Sequence, residues 1–146
     1  MFDRTIASSV VLACLAIGAG PAFAQAHEVT DGVYTLRSST VSSRAIPASV
    51  AKAHGFVPER GLAILNATVL RKHGKSRESV PANVTATVKS STGVTREVKL
   101  SAARENGSIS YFGTYRHVTG DALSLTITAR AEDARAPLTL RYRDRL

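Results

Sequence analysis

From Val80 to Val88 every second residue is apolar: Val80, Ala82, Val84, Ala86 and Val88 alternate with polar partners. A second stretch repeats the pattern with Leu123, Leu125, Ile127 and Ala129. A period of two places those side chains on one face of a pleated strand and would scatter them around a helix. The chain must therefore build sheets that bury one face. The same reading runs along the rest of it. Val33–Val41 is an extended segment with Val33, Thr35 and Arg37 opposite Tyr34 and Leu36, and Leu62–Leu70 reads as a strand buried on both faces. Val94, Val98 and Leu100 share one face of the next strand, across the turn Ser90-Ser91-Thr92-Gly93. Asn106-Gly107 tolerates the positive φ of a tight turn and introduces Ser108–Tyr115. Gly120-Asp121 precedes the second alternating strand, and a turn over residues 132–137 introduces the last, Leu138–Arg143. Arg71–Ser79 reads as a polar, strongly basic loop that carries His73.

One helix interrupts the series. In Ile46–Gly55, Pro47 suits a first helical turn and Gly55 suits the left-handed position after the last one. So short a helix is held by packing, through Ile46, Val50 and Phe56. Seven strands joined by short turns predict an all-β, antiparallel, Ig-like sandwich with one short helix between the first strands. A small barrel is the rival architecture.

The first residues belong to a different problem. Arg4 precedes an apolar run over residues 6–19, and the small-x-small motifs Ala22-Phe23-Ala24 and Ala24-Gln25-Ala26 follow. That is the form of an export signal, with cleavage after Ala24 or after Ala26. Residues 1–26 are accordingly read as a signal peptide and 27–146 as a single domain, large enough to bury about two-thirds of its unfolded surface. The run is shorter than the roughly 20 residues that cross a bilayer. Two alternatives keep the leader: an N-terminal membrane anchor, or lipid attachment at Cys14, where Val11-Leu12-Ala13-Cys14 loosely follows a lipoprotein box. Cys14 is the chain's only cysteine. Cleavage removes it and with it thiol catalysis, thiolate ligation and disulfides.

Losing Arg4 and Asp3 together leaves the formal charge at +8. Such a domain is drawn toward anionic lipid headgroups, glycans or acidic proteins of the envelope. Export argues against nucleic acid as the partner. On the last strand Arg141, Arg143 and Arg145 form an outward row with about 7 Å between members, opposite Leu138, Leu140 and Tyr142. Arg71, Lys72, Lys75 and Arg77 supply further basic surface. The competing explanation is that charges on an edge strand discourage sheet-to-sheet aggregation.

In several pieces the chain resembles a family of small exported proteins of Gram-negative bacteria, domain of unknown function 4426. The pieces are Gly32-x-Tyr34, Pro47-x-x-Val50-Ala51-x-x-x-Gly55, Arg60-Gly61-Leu62 leading into Leu65-Asn66-x-Thr68-Val69, and Tyr111-x-Gly113. The resemblance implies a periplasmic β domain and carries no established activity. Family members commonly have a His-Tyr-Asn run where this chain has Arg37-Ser38-Ser39. A site built on that histidine is therefore missing.

The histidines His27, His54, His73 and His117 form no close pair and no zinc-site spacing. If cleavage follows Ala26, the amine and imidazole of His27 present two nitrogens to copper, and His117 or His54 supplies a third. No Gly-x-Ser-x-Gly elbow occurs, and the acids are scattered. Tyr111, Phe112 and Tyr115 read as core aromatics rather than a ligand platform. The sequence thus predicts a noncatalytic binding or assembly module without cofactor. A copper protein using His27 and a hydrolase with a site hidden in the fold are the alternatives.

Overall fold

The computed structural model of the protein describes residues 25–146. The leader, Cys14 and the anchoring and lipidation alternatives lie outside the described residues. Ten strands form two antiparallel sheets: β1 (Gln25–Thr30), β2 (Tyr34–Ser42), β3 (Leu62–His73), β4 (Ser76–Ser79), β5 (Ala82–Lys89), β6 (Thr95–Val98), β7 (Ser101–Glu105), β8 (Ser108–Arg116), β9 (Ala122–Ala131) and β10 (Leu138–Arg145). The first sheet runs β1-β2-β3-β8-β7, with β4 also on β3, and the second runs β10-β9-β5-β6. One helix, α1 (Ala48–Ala53), follows a 3-10 turn between β2 and β3. The expected Ig-like sandwich is the fold.

The alternating positions meet between the sheets. Ala86, Val88, Leu123, Leu125, Ile127 and Ala129 pack on Leu36, Ala63, Leu65, Ala67 and Val69. The chain passes from the second sheet to the first between β6 and β7, directly over Gly113. A Cβ there would stand 2.3 Å from the Lys99 carbonyl oxygen, so the crossing requires glycine.

Three strands escape the pattern of alternating apolar residues. β1, β4 and β7 are short and polar, and each lies on the first sheet away from its apolar centre. The stretch read as a basic loop is instead a hairpin: Arg71 faces Glu78, Lys72 faces Arg77 and His73 faces Ser76. Gly74, with φ of +61°, makes the two-residue turn with Lys75. The strands run past the core here, so nothing forces alternation on their sequence. Pro47 stands one residue earlier than expected, as the N-cap of α1. Val94 is exposed and does not share the buried face of Val98.

The outer face of the first sheet is covered. Ser43, fully buried, donates through Oγ to Glu59 O at 2.8 Å and accepts from Glu59 N at 3.0 Å. This clamp holds the segment carrying α1 against the sheet, where Val41, Val50, Ala51 and Ile64 are buried. Ile46 and Phe56, the other expected anchors, are only half-buried. Among the described residues nothing covers the second sheet in this way.

Candidate functional site

Polar side chains gather in three places, a seam inside the sandwich, a cavity at one end of it and the bare face of the second sheet. The seam forms where β10 crosses β1 and β2. Ser38, Thr40 and Tyr142 all point inward, and they replace leucine-sized packing with hydroxyls. Ser38 Oγ donates to Asn66 O at 3.0 Å, so Tyr142 Oη, also at 3.0 Å, donates to Ser38. Thr40 Oγ1 donates to Asp144 Oδ2. Tyr115 is buried beside them, and its hydroxyl has no partner. Burial raises the Tyr115 phenol well above its ordinary value, and the charges that Tyr142 and Asp144 can carry add to the effect. Burial likewise pushes Tyr142 up to about 12, against the opposing effect of its hydrogen bond with Ser38. Both phenols are neutral hydroxyl groups at any physiological pH.

His27 closes one end of the seam. It pairs with Ser38 across β1 and β2, and its ring stacks on Tyr142 with centroids 4.0 Å apart and 13° between planes. His54, at the C-cap of α1, lies on the other side of the same sheet, edge-on to Phe112 at 4.9 Å. His117 lies beyond β8, with Nδ1 3.1 Å from the Val118 carbonyl oxygen. His73 pairs with Ser76 at the hairpin tip. The sheet therefore separates His27 from His54. Among the described residues no three of His, Cys, Asp and Glu are grouped to hold a metal ion.

An open cavity of about 630 Å³ at one end of the sandwich contains Ser91, Asp121 and His117. The residue types are those of a hydrolase, but the order is not. Ser91 Oγ donates to Asp121 Oδ1 directly, while the His117 imidazole is engaged with Val118. A serine nucleophile needs the imidazole between it and the carboxylate. The Ser91 hydrogen bonds hold the Asp121 carboxyl below its ordinary range.

The bare face of the second sheet collects the outward positions of four strands. Arg141 stands beside Thr126, which stands beside Thr87, and Arg143 beside Ser124, which stands beside Lys89. Thr139, Thr128 and Thr85 form the next row, and Arg130 faces Asn83 beyond it. The result is a flat grid of hydroxyls and cations, about 4.8 Å by 7 Å, which Glu97 of β6 bounds beside Thr87 at the end of the Arg141 row. The ion pairs among the described residues are Arg37–Glu28 and Arg116–Glu59, so no carboxylate is in ion-pair contact with Arg141, Arg143 or Lys89. Arg145 is partly engaged, donating through Nη1 to Gly120 O at 2.9 Å. Arg71, Lys72, Lys75 and Arg77 are exposed on the β3–β4 hairpin of the other sheet and do not join this face. Lys89 was not among the residues singled out from the sequence. Its alternation with Val88 places it outward, but only the strand order β10-β9-β5 places it in the same row as Arg143. Of the three aromatics, Tyr115 is buried, whereas Tyr111 and Phe112 are half-buried.

The model of a family described as a domain of unknown function, DUF4426, matches residues 28–146. No curated protein matches the sequence. A solved DUF4426-family protein from Pseudomonas aeruginosa is 21% identical, with a TM-score of 0.68 over 83% of this chain and 94% of that one. FetP of a uropathogenic Escherichia coli strain, crystallised after expression in the periplasm, is 13% identical, with a TM-score of 0.59 over 83% and 93%. A copper-bound variant of the same FetP is 14% identical, with a TM-score of 0.56 over 83% and 89%.

Proposed function

The chain belongs to the DUF4426 family, and we propose that it is a periplasmic, noncatalytic binding module that uses the bare face of its second sheet to hold an anionic component of the envelope. One observation carries this reading. Arg141, Arg143 and Lys89 are exposed in adjacent rows of a flat hydroxyl surface, with no carboxylate in ion-pair contact with them among the described residues. Cations left unpaired keep their Coulombic attraction for an incoming anion, and neighbouring hydroxyls can accept the hydrogen bonds of a hydrated ligand. The leader supports the compartment. The Ser91, Asp121 and His117 geometry supports the noncatalytic part. No helix among the described residues is long and apolar enough to cross a membrane.

The test is retention on anionic envelope fractions at low and moderate salt. Replacing Arg141 and Arg143 with serine should abolish most of the salt-sensitive retention, whereas replacing Arg71 and Lys72 should leave it intact. Unchanged retention of the Arg141/Arg143 variant would show that those arginines serve only to keep an edge strand soluble.

A second reading is favoured by the fold shared with copper-bound FetP. In it, cleavage after Ala26 exposes His27 as an amine-plus-imidazole copper ligand. His27→Ala should then weaken copper binding by the processed protein, and equal binding by both forms would exclude it.

A further inference from the structure

We propose that the other cleavage register creates a metal site: release after Ala24 frees the end Gln25-Ala26-His27, which binds one Cu(II) or Ni(II) ion through four nitrogens in a plane. The proposal rests on the export reading and differs from the copper reading above in the position of the new terminus. A histidine third from a free amine is the only feature it needs. The ligands are the Gln25 α-amine, the backbone nitrogens of Ala26 and His27, and Nδ1 of His27. Successive chelate rings join them, and tetragonal nitrogen ligation selects Cu(II) and Ni(II) over the hard divalent cations. On binding, the ammonium proton and the two amide protons pass to solvent, and no electron is transferred. A terminus at His27 cannot form this set, because no backbone amide then lies between amine and imidazole.

The fold permits the site and limits it. β1 is the outermost strand of its sheet, so one of its edges has no strand neighbour. Its first three pairs are Gln25 with Thr40, Ala26 with Ser39 and His27 with Ser38. Wrapping a metal ion takes these residues out of the extended conformation and breaks those pairs. The next residue stops the peeling: Glu28 Oε2 accepts from Arg37 Nη2 at 3.1 Å and from Nε at 3.3 Å, and Val29 pairs with the fully buried Leu36. His27 must leave its stack on Tyr142. The chain has no tryptophan, so tyrosine emission reports that departure.

The full chain with its leader is expressed in a Gram-negative host, recovered from the periplasm, weighed intact, and titrated with Cu(II) alone. The expected mass begins at Gln25 with a free amine. One equivalent of Cu(II) should bind, with a visible absorption band of planar nitrogen ligation and quenching of tyrosine emission. Ala26→Pro keeps the amine and the imidazole but removes an amide proton, and should abolish that signature. Proline is tolerated on an edge strand, and an unchanged melting temperature confirms the fold. His27→Phe keeps a ring on Tyr142 and should abolish binding as well. A mass beginning at His27 overturns the proposal. So does a mass short by one ammonia, in which the amine has attacked the Gln25 side-chain carbonyl and closed a lactam. Binding that survives Ala26→Pro also overturns it. A retained leader would sink the export reading and this proposal together. The same titration on a chain produced to begin at Gln25 separates that failure from a failure of the ligand set, because such a chain must bind one equivalent.

Discussion

The two sheets are alike on the side where they meet and opposite on the side where they part. Outside the first sheet, Val41 and Ile64 are buried beneath the segment that carries α1, held down by the Ser43 clamp to Glu59. Outside the second, Thr126, Thr87, Arg141 and Arg143 meet solvent in ordered rows. The first sheet therefore contributes to stability on both faces, while the second has one face free for contact. A candidate surface is most credible where replacing it costs the fold nothing.

Ile64→Ala would test that contrast most severely. Although Ile64 belongs to an outer face, it is 1% exposed, and its truncation should cost about 2–5 kcal/mol by denaturant unfolding, as a core residue does. A loss under about 0.5 kcal/mol, the range of surface changes, would mean that the helix segment does not seal that face. Gly113→Ala comes next. The new methyl meets the Lys99 carbonyl where the chain changes sheets, and overpacking of this kind costs about 1–3 kcal/mol. On the bare face, replacing Arg141 and Arg143 together with serine should shift stability by no more than about 0.5 kcal/mol, while abolishing retention on anionic material. A large loss of stability there would erase the contrast between the sheets.

The smallest effect concerns the acid limb. Hydrogen bonds from the backbone of Tyr34 and Val33 lower the Asp31 carboxyl in the β1–β2 turn, and those from Ser91 lower Asp121 near the second sheet. Each folded value lies below the ordinary carboxyl value of about 3.8. The contribution is therefore fully present above that value and is lost as pH falls through the lower folded one. Asp31→Asn and Asp121→Asn should each flatten the fall in melting temperature on that limb, without changing it at neutral pH relative to their own plateau.

Legibility followed burial. Strands that cross the core had to alternate, so β5, β9 and β10 could be read with their inward faces correct. β1, β4 and β7 lie where one or both faces are wet, and no apolar period marks them. The basic stretch from Arg71 to Ser79 was unreadable as a hairpin for the same reason, although Gly74 is a local signal that a two-residue turn can use. Within the candidate sites, the outward direction of Arg141 and Arg143 was legible from Leu140 and Tyr142. The companionship of Lys89 was not, because it depends on which strand lies next to which.

By itself the sequence determined the class of fold, the inward faces of the alternating strands β5, β9 and β10, the turns that flank them and the +8 charge. These follow from local rules, since a period of two or a glycine at positive φ acts over a few residues. Tertiary structure alone decided that one outer face is sealed and the other open. It also set His27 on Tyr142 and His54 on the far side of the same sheet. Such contacts join distant parts of the chain, as between Ser38 and Tyr142, 104 positions apart, and strand order, which selects them, is settled by the packing of the whole chain.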